Sequence, residues 1–374
     1  MLEVINGFDF CSNLRHFDFP ANLKYLDGFE SSGFTEVDLS GTQLEDIAAF
    51  DKCNSLKSVL LPPTMKAITN LYTGVTKALV VPNGVETIGE LNGPYIASLV
   101  LPSTLTYFGD SKLYNGAKVV CEAITPPDGR GLTCVSTGGR TYRNIYLYVP
   151  TGTQTAYKEH SYDYYGNIYR YYVPVIEMAA TDAPINVLVE SSGATVMGSP
   201  KVDSVLVIPA SVSTSEGEQE VSRIADYAFS SNPSIISVDI PATVGASSAA
   251  APFIGSRAES TQGIGKYAFA YCMNLNTMYV HWASPLTISA DVFEGLDLSA
   301  LTLVVPDNTS AYYATADVWK DFGTIVEESV QGIDTPTILS PSDKSNSIYD
   351  LMGRRVTNTR PGIYIKAGKK ILVK

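Results

Sequence analysis

The residues best suited to chemistry are few in this chain and poorly arranged for it. There are three histidines, His16, His160 and His281, and no two stand at the spacing that places ligands on one helical face. A His-Glu-x-x-His pair is absent. The five cysteines are Cys11, Cys53, Cys121, Cys134 and Cys272. They contain no Cys-x-x-Cys, and an odd count argues against a complete disulfide framework. No basic partner placed to lower a thiol pKa is evident from the spacing, so the cysteines read as small packed hydrophobes. There is no Gly-x-Ser-x-Gly elbow, and Gly138-Gly139-Arg140 reads as a turn rather than a phosphate loop. Asp226 and Glu259 have no spacing that supports an acid–base pair. The expectation is therefore a non-enzyme with no cofactor and no metal.

One stretch is dense in groups that recognise rather than react. Between Tyr157 and Tyr172 the chain carries Tyr157, Tyr162, Tyr164, Tyr165, Tyr169, Tyr171 and Tyr172, with Lys158, His160 and Arg170 among them. Exposed tyrosine offers broad, rather rigid contact area with a polar tip, which suits a protein or a sugar. Tyr157, Tyr162, Tyr164, Tyr165, Tyr169 and Tyr171 are thus the candidate binding residues. The competing reading is that alternate tyrosines close a hydrophobic core and the rest are wet.

The elements that must position these residues come from a repeat. Short apolar runs end at Pro20, Ser40, Pro62, Pro82, Pro102 and Cys121, a period of about 20 residues per strand-forming unit. A finer pattern precedes the strand: Phe8, Cys11, Leu14, Phe17, then Phe50, Cys53, Leu56, Val59, then Phe269, Cys272, Leu275, Met278. We read it as a short helical turn carrying Phe, a bend, then one strand. Each unit leaves an apolar face that only its neighbours can bury. The phrase Ile-x-x-x-Ala-Phe-x-x-Cys-x-x-Leu, seen at Ile264–Leu275 and with Asn232 in the cysteine place at Ile224–Ile235, resembles the leucine-rich repeat of BspA-like bacterial surface proteins. The match is clearest over 224–281 and more worn over 8–102. The resemblance implies an α/β repeat fold, a strand-dominated solenoid with short parallel strands. It also implies surface display and a host-protein, matrix or neighbouring-cell partner.

The plan runs twice. Leu147–Pro150, Tyr157 and Pro174–Glu177 have counterparts in Leu303–Pro306, Tyr312-Tyr313 and Thr324–Glu327. This places one array with its closing cap at 1–178 and a second at 184–328, with a small polar join at 179–184. Ser211–Glu220 and Gly245–Gly263 read as surface loops. The outward strand residues Asp18, Asp38 and Asp239 suit an exposed sheet face.

Residues 333–374 form a third piece, read as three short strands with glycine turns. Residues 344–374 hold eight Lys or Arg against the single acid Asp350, in a chain whose net charge is −12. Tyr349-Asp350-Leu351-x-Gly353-Arg354-Arg355-Val356 and the Gly368–Lys374 block resemble the sorting domain of the type IX secretion pathway, which implies secretion machinery as a partner. The acidic remainder disfavours nucleic acid. No apolar run approaches the ~20 residues that span a bilayer. Met1-Leu2-Glu3-Val4-Ile5 shows no secretory leader, and the repeat starts almost at once, so a natural capped start is not expected at Met1. The function expected is surface binding or adhesion; a carbohydrate-binding module or a ligand-free spacer are the alternatives.

Overall fold

The computed structural model describes residues 2–114, 116–133, 145–164, 167–170, 173–181, 183–190, 193–201, 204–246 and 263–328, with the backbone alone for 162–164 and 167–170 and for four short strands between 348 and 373. It is a strand-dominated α/β repeat solenoid: the helices are a turn or two long and the repeat strands pair in parallel.

The first array has two strands per repeat, not one. The strands expected from the Val-Pro endings are present as Glu36–Asp38, Ser58–Leu60, Ala78–Val80, Ser98–Leu101, Lys118–Cys121, Tyr146–Val149 and Val175–Glu177. The first expected run, Phe17–Phe19, is extended but finds no partner strand. A second set consists of Val4–Gly7, Tyr25–Gly28, Asp46–Ala49, Ala67–Tyr72, Thr87–Asn92 and Tyr107–Lys112, joined side by side into a six-stranded parallel sheet. Its sequence signal is Ile68-x-x-Leu71 and Ile88-x-x-Leu91, two inward anchors separated by two outward residues. This broad sheet and the Val-Pro sheet close over one core of Leu26, Ile47, Val59, Ile68, Leu79, Ile88, Leu99 and Val119.

The helical turn expected around each Phe is a left-handed bend instead. Phe29 and Phe50 have φ of 58° and 68°, and Tyr227 and Tyr267 have 57° and 58°. Such a φ costs a β-carbon residue about 1–2 kcal/mol. Two gains offset it. The Phe29 and Phe50 amides reach back one repeat to the Gly7 and Gly28 carbonyls at 2.9 and 3.0 Å, and both rings are fully buried. The aromatic residues step along the stack: Phe29 and Phe50 centroids lie 5.9 Å apart, Phe229 and Phe269 5.7 Å. Gly28 is required here. Its φ is 101°, and a β-carbon would lie 2.3 Å from the Gly7 carbonyl oxygen.

The second array stacks Val205–Val207, Ser237–Ile240, Thr277–Val280, Thr302–Val305 and Thr324–Glu327 into one parallel sheet. The loop expected at Ser211–Glu220 is a hairpin, Ser211–Thr214 against Gly217–Ile224, because alternating residues flank the turn glycine Gly217. Among the described tail residues, Ile348–Tyr349, Arg355–Val356, Gly362–Lys366 and Lys369–Val373 form four antiparallel strands rather than three.

Candidate functional site

The structure separates the six candidate tyrosines. Tyr157 belongs to the core and leaves the set of ligand-facing residues. It lies on the helix Gln154–Glu159 with no exposed surface, and its hydroxyl donates to the Ala123 carbonyl at 2.7 Å and contacts the Cys121 Sγ at 3.2 Å. It closes the open end of the first core, a polar tip satisfied by an orphan carbonyl. Tyr162, Tyr164 and Tyr169 lie on an antiparallel hairpin, Ser161–Tyr164 with Asn167–Arg170, where Tyr162 and Tyr169 are direct cross-strand partners. Tyr165 and Tyr171 fall outside the described residues.

The closing segment of the second array repeats the first in detail. Tyr313 is fully buried, and its hydroxyl donates to the Trp282 carbonyl at 2.8 Å. In both caps a threonine hydroxyl turns back to a proline carbonyl, Thr153 to Pro150 and Thr309 to Pro306. In both, a glutamate from the last strand accepts a backbone amide at the helix start: Glu177 from Gln154, Glu327 from Ser310.

The Val-Pro sheet of the first array does not present the open face expected of it beyond Asp38. Val100, Val120 and Tyr148 point away from their own core and are buried in the core of the second array, with Met178, Ile185, Val187 and Met197. A parallel strand buried on both faces reads as a continuous apolar run, as Leu99-Val100-Leu101 and Lys118-Val119-Val120-Cys121 do. Polar groups pin this seam. Lys118 is buried and donates to the carbonyls of Asp226 at 2.8 Å and Met197 at 3.5 Å; burial, outweighing the nearby Asp226 carboxylate, pulls its pKa down to about 8. Glu122 accepts from Asn186 at 2.7 Å and Ser199 at 3.1 Å and pairs with Lys201 at 2.9 Å. The Lys77 ammonium lies 4.2 Å from the centre of the Tyr267 ring, and that ring stacks on Tyr227 at 4.8 Å. At one end the seam opens into a cleft of about 430 Å³, where Met273 faces Glu36, Asp38, Phe17 and Phe19.

Two faces remain for a partner. The outer surface of the broad sheet is one. The register aligns Asn6 with Asp27, Asp27 with Ala48, Ala48 with Asn70, and Asn70 with Glu90 and then Asp110, a row that is polar on five of the six strands. Asp110 is held by the Arg130 guanidinium. Along the neighbouring rim stand exposed Tyr95 and Tyr114, with Tyr72 donating to Asn54 at 2.8 Å. Sequence reading passed over these tyrosines because they are spread one per repeat. Their positions, at the end of the outer strand (Tyr72) or just past it (Tyr95, Tyr114), were the available signal. The second face is the strand sheet of the second array, where the register runs Val207, Asp239, Tyr279, Val304, Val326. His281 sits at its margin, 2.8 Å from Asp239 and 2.8 Å from Glu328.

The thiols are packing groups. Cys53 and Cys272 occupy matching places, each Sγ 3.1 Å from a phenylalanine carbonyl, Phe29 or Phe229. Burial pushes Cys53 and Cys121 up to about 11 and Cys272 to about 12, so none is a thiolate at neutral pH. Cys11 is exposed, and Cys134 lies outside the described residues. His160 has its pKa lowered by burial, against the pull of Asp128, and His16 contacts only Asp18 in the open. Among the described residues no group of three His, Cys, Asp or Glu side chains is disposed to hold a metal. Among them, too, no helix is long and apolar enough to cross a membrane.

Repeats of this geometry define a leucine-rich-repeat scaffold, and the profile match agrees. The sequence profile of the BspA type leucine rich repeat region matches in six copies over residues 5–92 and 254–315. Over those two stretches the chain is similar to BspA-type leucine-rich repeats. It is similar to three solved leucine-rich-repeat structures. A protein from Bacteroides capillosus ATCC 29799 is 20% identical, covering 41% of this chain and 99% of its own, with a TM-score of 0.24. One from Bacteroides ovatus ATCC 8483 is 16% identical, covering 75% and 70%, with a TM-score of 0.30. A leucine rich cell surface protein from Faecalibacterium prausnitzii A2-165 is 13% identical, covering 87% and 83%, with a TM-score of 0.26. No curated protein sequence matches the chain.

Proposed function

We propose that this is a non-enzymatic binding protein displayed at the cell surface or secreted, recognising a host, matrix or neighbouring-cell protein through the broad sheet of its first array. The observation that carries the reading is the fate of the two sheets of that array. One is consumed by the second array, while the other leaves Asn6, Tyr25, Asp27, Thr69, Thr87 and Lys112 outward and solvent-facing on five of its six strands. A wide face of this kind suits a large partner. Tyr162, Tyr164 and Tyr169 of the hairpin, with Tyr165 and Tyr171 next to them in sequence, are the further contacts of this reading. The working division is 1–178 and 184–328 for the two arrays and 333–374 for a basic C-terminal piece that addresses the chain to a type IX secretion apparatus.

The test is binding of the full chain to a panel of matrix proteins and intact bacterial cells. Asp27→Arg with Glu90→Arg reverses the charge of the sheet, and Tyr162→Ala with Tyr164→Ala and Tyr165→Ala strips the hairpin. Saturable binding weakened about tenfold by either set in a still-folded protein supports the reading, since a few central contacts carry most interface energy. Binding unchanged by both sets rejects these surfaces. Surface delivery unaffected by deleting 333–374 in the native host rejects the export role.

A carbohydrate ligand is the second reading, favoured by one observation: Tyr95 and Tyr114 are both about half exposed, at 53% and 51%, and Tyr72 on the same rim bonds Asn54. Tyrosine faces stack on sugar rings while neighbouring amides reach hydroxyls. A glycan array read with Tyr95→Ala and Tyr114→Ala separates the two ligand classes.

A further inference from the structure

His281 is placed unlike the other histidines. It follows the strand Thr277–Val280, and its ring lies between two carboxylates from different strands. Nε2 is 2.8 Å from Asp239 Oδ1, on the strand Ser237–Ile240, and Nδ1 is 2.8 Å from Glu328 Oε1, just past the closing strand Thr324–Glu327. Glu328 is not on an adjacent strand. The strand Thr302–Val305 lies between, and its outward Val304 is buried. The contact therefore reaches over one strand to tie three others together.

Two carboxylates, each 2.8 Å from a ring nitrogen, favour the charged ring. A neutral imidazole has one N–H and one lone pair, so it can donate to only one carboxylate and must turn its lone pair on the other. Only the imidazolium donates to both at once. The ionisable groups facing it, among the described residues, are Asp239 from one side and Glu328 from the other. The intervening strand contributes Val304 and no charge, and Glu327 is turned away to the amide and hydroxyl of Ser310.

We propose that His281 is a pH-dependent clasp, closed as the imidazolium and released on deprotonation, that fastens the closing strand Thr324–Glu327 and the root of the C-terminal piece to the strand face of the second array. Asp239 is fixed within a sheet interior, whereas Glu328 ends the last strand, so Glu328 is the arm that lets go. The Asp239 hydrogen bond first, and then the two carboxylate charges, hold the pKa of His281 above its ordinary 6.5 against the opposing pull of burial. A His with a raised folded pKa contributes stability that is complete below the unfolded value and lost as pH rises through the folded one. The clasp is thus shut in mildly acidic surroundings and opens on the alkaline side.

The experiment is a histidine ring ¹⁵N titration of the full chain, with His281 assigned from the signal missing in His281→Gln, alongside amide-exchange protection of residues 324–327 at pH 6 and pH 9. The expected result has three parts. Both ring nitrogens of His281 are protonated at pH 6. The midpoint lies above 6.5 and moves down in Glu328→Gln. Protection of 324–327 relative to His281→Gln falls about threefold or more on going to pH 9. The inference is overturned if His281 titrates at or below 6.5, if Glu328→Gln leaves its midpoint unmoved, or if wild type and His281→Gln lose protection equally. His281 is half-exposed and at a margin, so its replacement leaves the fold intact. Glu328→Gln keeps the shape of the arm and removes only its charge.

Discussion

The strand faces of the two arrays are built to the same register and meet opposite fates. In the first array the outward row is Val80, Val100, Val120, Tyr148 and Ile176. In the second, aligned through the matching caps, it is Val207, Asp239, Tyr279, Val304 and Val326. The first row carries no charge, its one phenol (Tyr148) is buried, and the second array packs on it. The second row carries a carboxylate and a phenol, borders the His281 clasp, and leaves Val207 more than half exposed. The difference teaches that the repeat dictates geometry while the two or three outward residues per strand decide what that geometry does. The same sheet is an internal seam in one place and a surface in the other. A solenoid that spends one face on itself must recognise partners with what remains, and that leads from the seam to the broad sheet.

The comparison breaks most readily at Tyr148. It sits on a first-array strand yet is buried in the second-array core. Tyr148→Ala is expected to cost about 3–5 kcal/mol, the usual range for truncating a buried aromatic. Both tryptophans, Trp282 and Trp319, lie in the second array, so their fluorescence reports that array alone. If the seam joins the arrays, urea unfolding followed by tryptophan shifts to lower midpoint together with the far-ultraviolet signal. If the tryptophan transition stays where it was while the far-ultraviolet signal shifts, the two arrays unfold independently and the seam is a mere contact.

A smaller effect comes from Lys118, the buried cation of the seam. The unfolded chain keeps this proton up to about pH 10.5 and the folded chain releases it near pH 8. Between those values the unfolded state binds more protons, so folding stability rises with pH. Against Lys118→Met, which has no such proton, wild type should gain stability from pH 8 to pH 10. Other titrating groups are common to both proteins and cancel. A difference between the two that is flat with pH would mean that Lys118 is solvated and the seam wet.

Much of this was written in the sequence, and the losses are specific. The 20-residue period and the short Val-Pro strands are periodicities, and periodicity survives in a string of letters. The second strand of each first-array repeat was legible too, in spaced anchors such as Met65-x-x-Ile68-x-x-Leu71. It was obscured because its two outward residues break the alternation that marks a strand. The Phe turns look helical by spacing, since three-residue steps fit a 3.6-residue period. Only backbone bonds between repeats select the left-handed bend. The seam was the largest omission. Asp38 and Asp239 were read as signs of an open face, but Val100, Val120 and Tyr148 occupy equivalent outward positions and say the reverse. The dense tyrosine stretch drew attention by composition, and Tyr157 shows how composition misleads: its place is set by the core it closes.

The finest test of the comparison lies in the caps, where the two arrays agree. Tyr157 and Tyr313 each bury a phenol whose hydroxyl donates to a carbonyl left over at the end of the stack, Ala123 at 2.7 Å and Trp282 at 2.8 Å. Replacing either by phenylalanine keeps the ring and its packing and strands the carbonyl without a donor. Each change is expected to cost about 1–3 kcal/mol, the penalty for an unsatisfied buried acceptor. The first cap has one more partner, the Cys121 thiol at 3.2 Å, so Tyr157→Phe should exceed Tyr313→Phe by a few tenths of a kcal/mol, the scale of a weak thiol contact. Denaturant unfolding of the two single variants and of the double decides it. Near-equal, additive losses mean that closing a repeat core is one local solution used twice. If Tyr313→Phe costs nothing while Tyr157→Phe is severe, the phenol matters for the seam next to it and not for the cap.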